Sequence, residues 1–310
     1  MKVSIKVVGV GGCGRNATNH MHDSGMGGVE FVAMDTHLSI YEFSKADRQL
    51  NIGYELTKGK PTGGWPAIGE KAARESQKEI MAALKGADMV FIVAGMGGGT
   101  GTGASPVVAE IARSMGIFTV GVVTRPYEFE GSVRIYKAEE GIIRLKDKVD
   151  CLLVISDEQL KCIGPKITLL NALAVADEVL RQAVQGISDL INLNGLINLD
   201  FADVVSLMKG TGFAHIGLGR AKGKGCAERA MKEAIASPLL KNSIHDARGI
   251  IVYFQMSPDI SSKDVDEADA MIHDAASEEV NLLWGAILDE SMKDECRVTI
   301  IATDFYDYYY

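Results

Sequence analysis

Five short apolar runs alternating with helical stretches do most to limit how the first half of this chain can fold. They read VSIKVVGV, VEFVAMD, DMVFIVAG, FTVGVVT and CLLVIS. Each run is mostly apolar with no regular alternation, so the sheet it joins is covered on both faces, and strands separated by helices pair in parallel. In a sheet wound in this way, ligands sit on the loops at the strand C-termini, and function is expected there. Between the third and fourth runs lies the helix SPVVAEIARSM. Proline favours helix starts, so Pro106 is expected in its first turn with Ser105 as the cap.

Two of the loops are rich in glycine. The first lies in VVGVGGCGRNATNHM, Val7 to Met21, and holds Gly9-x-Gly11-x-x-Gly14. This spacing lets a backbone approach a phosphate and aims helix N-terminal N–H groups at it. The second apolar run ends in Asp35, where a dinucleotide-binding domain keeps a carboxylate for ribose. On these residues alone an NAD-dependent oxidoreductase is one reading. The second loop, GMGGGTGTGAS from Gly95 to Ser105, is the more specific. It sets two threonine hydroxyls and a run of backbone N–H groups at another helix start, an anion nest of its own. One glycine loop suffices for a pyrophosphate. Two at the ends of one sheet point to a triphosphate gripped from both sides, with Mg²⁺ carrying part of the charge.

The chain then changes character. From Thr168 to Leu193, Leu169, Leu173, Ala176, Leu180, Val184, Ile187 and Ile191 recur at three- and four-residue spacing. That predicts one long helix, on the order of 35 Å. Beyond it FAHIGLGR, GIIVYFQM, VNLLWGAIL and CRVTIIAT read as strands, with helices near 226–236 and 263–276, giving a second, smaller α/β domain. With 310 residues, 47% hydrophobic and 24% charged, the chain suits two globular cores. A net charge of −9 argues against a nucleic-acid surface or direct membrane binding, because both need concentrated Lys and Arg. The five cysteines (Cys13, Cys151, Cys162, Cys226, Cys296) include no Cys-x-x-Cys pair, so no disulfide framework or zinc site is indicated. No dedicated metal ligands are expected. A reducing, cytoplasmic setting fits.

These motifs together resemble the FtsZ and tubulin GTPases, and the bacterial-type FtsZ branch in particular. The resemblance runs from IKVVGVGGCGRN through ADMVFIVAGMGGGTGTGASPVVAEIAR, VVTRPYEFEG and INLDFADV to SPLL and RVTIIAT. It implies a tubulin/FtsZ-like α/β fold: a Rossmann-like parallel-sheet GTP-binding domain over 1–167, a central helix over 168–193, and a smaller C-terminal α/β domain over 194–310. It places Gly11, Gly12, Cys13, Gly14 and Asn16 on the first phosphate loop. Gly98, Gly99, Thr100, Gly101 and Thr102 fall on the second, with Glu130 and Arg134 near ribose and phosphates. The C-terminal domain would carry the synergy loop NLDFAD, whose Asn198, Asp200 and Asp203 complete catalysis on the next subunit. Read without the family, Asp200 and Asp203 stand on one side of a helix start. There they either hold a water or simply face solvent.

Several positions depart from the family's pattern. Cys13 and Arg15 bring side chains into a loop that is usually glycine. Arg15 there meets a phosphate, a neighbouring subunit or solvent. Asp35-Thr36-His37 stands where the family has Asn-Thr-Asp. Asp157 takes the place of a sugar-side asparagine, and Leu173 that of the aromatic that stacks on guanine. Glu178 falls at the guanine-reading carboxylate, accepting N1–H and N2–H. The expected function is a self-assembling GTPase that forms head-to-tail protofilaments and hydrolyses GTP to GDP at subunit junctions. It would use Mg²⁺ with the nucleotide, take cell-division proteins as further partners, and work at the division site. A filament or regulator that binds nucleotide with little turnover is the alternative. The NAD enzyme ranks below both, because the second glycine loop has no task in it.

Overall fold

The structure, a computed structural model, describes residues 2–156, 160, 172–192, 195–197, 199–240 and 244–305, with backbone alone at 172 and 173. Asp157, Asn198 and the stretch 168–171 lie outside the described residues, as does the side chain of Leu173. The chain divides into two compact units, Met1–Gln185 and Gly186–Tyr310.

The first unit is built on six parallel strands: β1 (Ile5–Val10), β2 (Val29–Asp35), β3 (Arg48–Asn51), β4 (Met89–Gly95), β5 (Phe118–Arg125) and β6 (Cys151–Ser156). They run in the order β3-β2-β1-β4-β5-β6, every pair parallel. All five predicted runs are strands. Every residue of β1 is buried, as are the first six of β4 and the first seven of β5, which is the burial expected of a sheet covered on both faces. The added strand, β3, has the sequence RQLN and sits at the sheet edge, where one face and one ladder are spared and an apolar run is unnecessary. From β1 the chain winds outward to β2 and β3, then returns to β4 and winds the other way. The crevice at this reversal opens between the C-terminal ends of β1 and β4, and both glycine loops leave from those two ends.

Gly14 shows why the first loop needs glycine for its fold. A Cβ at this position would stand 2.3 Å from the Val93 carbonyl oxygen, so the helix Gly11–Asp23 packs backbone to backbone on β4. The second helix corrects one expectation. It spans Thr100–Ser114, so Pro106 lies in its interior and Ser105 is not a cap. Ser105 Oγ instead donates back to the Gly101 carbonyl at 2.6 Å. The threonine–glycine run that reads as loop is the first turn of the helix, which brings the unpaired N–H groups of that turn to the crevice.

The described part of the central helix is Ala172–Asn192, 21 residues, or about 31 Å at 1.5 Å per residue. Ala176, Val179, Leu180, Ala183, Val184, Ile187 and Leu190 are buried along it. In the second unit β7 (Gly212–Lys222), β8 (Ala247–Met256), β9 (Asn281–Leu288) and β10 (Glu295–Phe305) form a mixed sheet in the order β7-β10-β8-β9. β10 is antiparallel to both neighbours, and β8 and β9 are parallel. The helices Cys226–Ile235 and Ser262–Ala275 bury Ala230, Met231, Ala234, Ala268 and Ile272 in one core with Val252, Phe254, Val298 and Ile300. No helix among the described residues is long and apolar enough to cross a membrane.

Candidate functional site

The crevice at the ends of β1 and β4 holds a cavity of about 350 Å³, within the range of small-molecule sites. Both glycine loops line it through Gly11, Gly12, Cys13, Gly98, Gly99, Thr100 and Gly101. Two helices begin at this wall. Neither has a side-chain cap, and neither has an acidic residue in its first turn. Their first-turn N–H groups are therefore not capped by side chains, and each helix points a positive dipole end into the cavity, the arrangement that takes an anion.

The loops are held against each other closely. Gly11 has φ +72, and a Cβ on it would meet the Gly101 nitrogen at 2.8 Å. Thr102 Oγ1 accepts from Gly97 N–H at 2.9 Å, closing the second loop onto its helix. Thr36 and Thr100 join their hydroxyls at 3.1 Å, which ties the end of β2 to the same wall. At Gly12 and Gly98, by contrast, a Cβ would meet nothing within 4 Å. Those two glycines leave open backbone facing the cavity, a space that side chains would fill.

Asp35 is buried at the rim, and burial raises its carboxyl above the usual range. Its Oδ1 accepts from the backbone N–H of Thr36 at 2.7 Å and of His37 at 3.4 Å, so the carboxylate caps its own loop. Arg15, His37 and Ser39 also line this end.

A narrower cavity of about 60 Å³ adjoins the first through Cys13, Gly95 and Arg134. It is lined as well by Asn16, Glu130, Asp177 and the apolar pair Ala176 and Leu180. Glu130 and Arg134 pair at 3.0 Å, and Glu130 also accepts from Tyr127 N–H. Glu130 and Arg134 thus stand paired beside the glycine loops.

The acid on the central helix that faces this cavity is Asp177. Burial pushes its carboxyl up to about 6, against the pull of His20, and it makes no hydrogen bond to a described residue. Glu178 does not line either cavity. It receives Arg181 through Nε at 2.8 Å and Nη2 at 2.6 Å, Gln182 at 2.7 Å, and His20 at 3.2 Å. Burial would raise its carboxyl, but these partners hold it at about 2. Helical spacing separates the two acids. Asp177 stands four residues after Leu173, about 40° round the helix, whereas Glu178 stands about 140° away.

In the second unit the helix Phe201–Met208 begins one residue after Asp200, which occupies its N-cap position, and carries Asp203 in its first turn. Both side chains are exposed. Asn198 and Asp157 lie outside the described residues.

The comparisons with known proteins agree over both units. The model of the Tubulin/FtsZ family, GTPase domain, matches residues 4–165, and that of the FtsZ family, C-terminal domain, matches residues 212–306. An empty FtsZ dimer from M. jannaschii is similar at 42% identity with a TM-score of 0.93, covering 98% of this chain and 88% of that one. A tryptophan-to-tyrosine FtsZ mutant from the same organism gives the same identity and score over 98% and 92%. CetZ2 from Haloferax volcanii, solved as a GTPγS-bound protofilament, shares the fold at 20% identity and a TM-score of 0.81, covering 98% and 94%. These matches overturn the NAD reading, in which Asp35 would hold a ribose and the second glycine loop would stand idle. The uncapped helix starts, the two glycine walls and the matched domains lead to one conclusion: the chain belongs to the Tubulin/FtsZ family and is a guanine-nucleotide-binding GTPase.

Proposed function

We propose that this GTPase assembles head to tail with copies of itself and hydrolyses GTP where two subunits meet, as the cytoplasmic scaffold of cell division. The observation that carries the reading is a set of large exposed apolar side chains next in sequence to residues that line the nucleotide cavity. Leu38, Trp65, Phe129 and Val133 are 44%, 63%, 61% and 67% exposed, and each is close in sequence to a cavity-lining residue. Large exposed apolar side chains on the segments that form a polar site suit a surface that another protein covers. A repeated contact between unlike faces builds an open filament. The FtsZ dimer among the similar structures supports the same reading.

Within this proposal the glycine loops bind and orient the triphosphate with backbone N–H groups and threonine hydroxyls, none of which readily takes a proton from water. Asp200 and Asp203, exposed at a helix start, would supply that function to the neighbouring subunit's nucleotide, with Asn198 just before them in sequence. The divisions at 167 and 193 mark nucleotide, central-helix and C-terminal parts. Asp177 would read the guanine edge, and Glu178, already engaged by Arg181, would brace it. Among the described residues no three His, Cys, Asp or Glu side chains converge on a metal position. The Asp35 carboxylate and Thr100 hydroxyl suit a Mg²⁺ held chiefly by phosphate and water, which would offset phosphate charge.

Sedimentation tests the assembly reading. The protein should pellet with GTP and not with GDP, and Trp65→Glu should abolish pelleting while nucleotide affinity stays within about twofold. Pelleting by the variant at the wild-type level would contradict the proposed contact.

A further inference from the structure

Of the residues around the larger cavity, Cys13, Gly95 and Arg134 are shared with the narrower one that holds Asp177. On the guanine-nucleotide reading proposed above, the sugar and base lie on that side and the last phosphate lies where the larger cavity alone is lined. Arg15, His37 and Ser39 line the larger cavity and not the narrower one, although Arg15 also reaches Asn16 of the narrower one.

Arg15 is incompletely used. Nη1 donates to Ser39 Oγ and Nη2 to Asn16 Oδ1, both at 3.3 Å, beyond the usual length for such bonds. Nε is buried without a hydrogen-bond partner. A guanidinium has five N–H donors, so its capacity far exceeds what these contacts take up. The cation rests over the Phe43 ring, 5.9 Å from its centroid, and it pulls electrostatically on the buried Asp35 carboxylate without a direct ion pair. Ser39 is fixed from the other side. Its Oγ accepts from Arg15 and shares a hydrogen bond with His37 Nδ1, at 2.5 Å. The group is thus held by two long hydrogen bonds and an aromatic face, within electrostatic reach of the Asp35 carboxylate, with donors left over beside the cavity.

We propose that Arg15, positioned by Ser39, His37 and Phe43, binds the terminal phosphate directly and lets this protein tell a nucleoside triphosphate from a diphosphate without relying on a divalent cation. This rests on the guanine-nucleotide reading of the site. A fixed cation on a forked, planar donor matches a phosphate bidentately, and a diphosphate has no group in reach of it. The inner phosphates are left to the backbone of the two glycine loops, which serves both nucleotides alike.

Calorimetric titration of the full chain with GDP and with a non-hydrolysable GTP analogue, in excess EDTA, tests this. The wild type should hold the triphosphate more tightly than GDP. Arg15→Ala should lose about 10- to 100-fold in triphosphate affinity, the worth of a charge-assisted contact, and keep its GDP affinity within about twofold. Arg15→Lys, which keeps the charge and not the fork, should fall between them. Retained GDP binding reports that each variant is folded. An unchanged triphosphate preference in Arg15→Ala overturns the proposal, as does an equal loss for both nucleotides, which would put Arg15 on an inner phosphate or on loop structure. Failure of the wild type to bind either nucleotide with or without Mg²⁺ would instead overturn the guanine-nucleotide reading, and the proposal with it.

Discussion

Replacing Asp177 by asparagine keeps its size and removes its charge, which isolates what the carboxylate does. The side chain faces the narrow cavity between Asn16, Glu130 and Leu180, and burial has raised its carboxyl to about 6. Guanine presents N1–H and N2–H side by side, and an ionised carboxylate accepts both. An amide offers one acceptor and turns an N–H toward the other donor. Two charge-assisted bonds contribute roughly 1.5–3 kcal/mol each. Losing one and spoiling the other should cost GTP about 3 kcal/mol, on the order of 100-fold in affinity. ATP has no such donor pair and should be nearly unaffected, so the GTP-to-ATP ratio collapses. The pH dependence follows with a definite sign. Only the ionised form accepts both bonds, and in the ligand-free protein that form is lost as pH falls through about 6. GTP affinity of the wild type should therefore drop by about tenfold per unit below pH 6, while Asp177→Asn stays flat. Competition titration at pH 7.5 and 5.5, as order-of-magnitude choices on either side of that value, reads both effects. An unchanged GTP preference in Asp177→Asn would refute this reasoning, and the loss appearing in Glu178→Gln instead would return the role to Glu178.

Two further predictions separate fold from binding and chemistry from assembly. Gly12→Ala adds a methyl to open space in the cavity, so thermal stability should hold within about 0.5 kcal/mol while nucleotide affinity falls. Gly14→Ala drives a Cβ to within 2.3 Å of the Val93 carbonyl and should cost about 1–3 kcal/mol of stability; equal melting temperatures for the two variants would contradict the assignment. Asp203→Ala should bind GTP as the wild type does yet not turn it over, and mixing it with wild type should depress activity more than dilution does, because each variant subunit silences its neighbour's site. Activity in the mixtures that follows dilution alone would count against catalysis shared between subunits.

The parts legible in the sequence were those where one physical requirement dominates. Parallel strands covered on both faces need mostly apolar runs, so VEFVAMD and CLLVIS match β2 and β6 residue for residue. RQLN escaped because an edge strand has no such requirement. The glycine loops were legible as phosphate cradles because close backbone approach excludes other residues. Where the second helix starts was not, since threonine and glycine are poor helix formers and the turn exists to present N–H groups rather than to follow propensity. At Asp177 and Glu178 two acids stand in adjacent positions, and motif matching does not fix helical phase. Arg181 and Gln182, three and four residues beyond Glu178, were the local sign that this carboxylate was engaged on its own helix.

The central claim, that the site is completed by a second copy of the chain, is tested most directly by specific GTPase activity measured across a wide range of protein concentration. Activity per subunit should be near zero below a threshold, rise through it as filaments form, and level off above it, with sedimentation marking the same threshold. Turnover per subunit that stays constant down to dilute monomer would show that one chain activates the water by itself, and catalysis across a subunit junction would have to be abandoned.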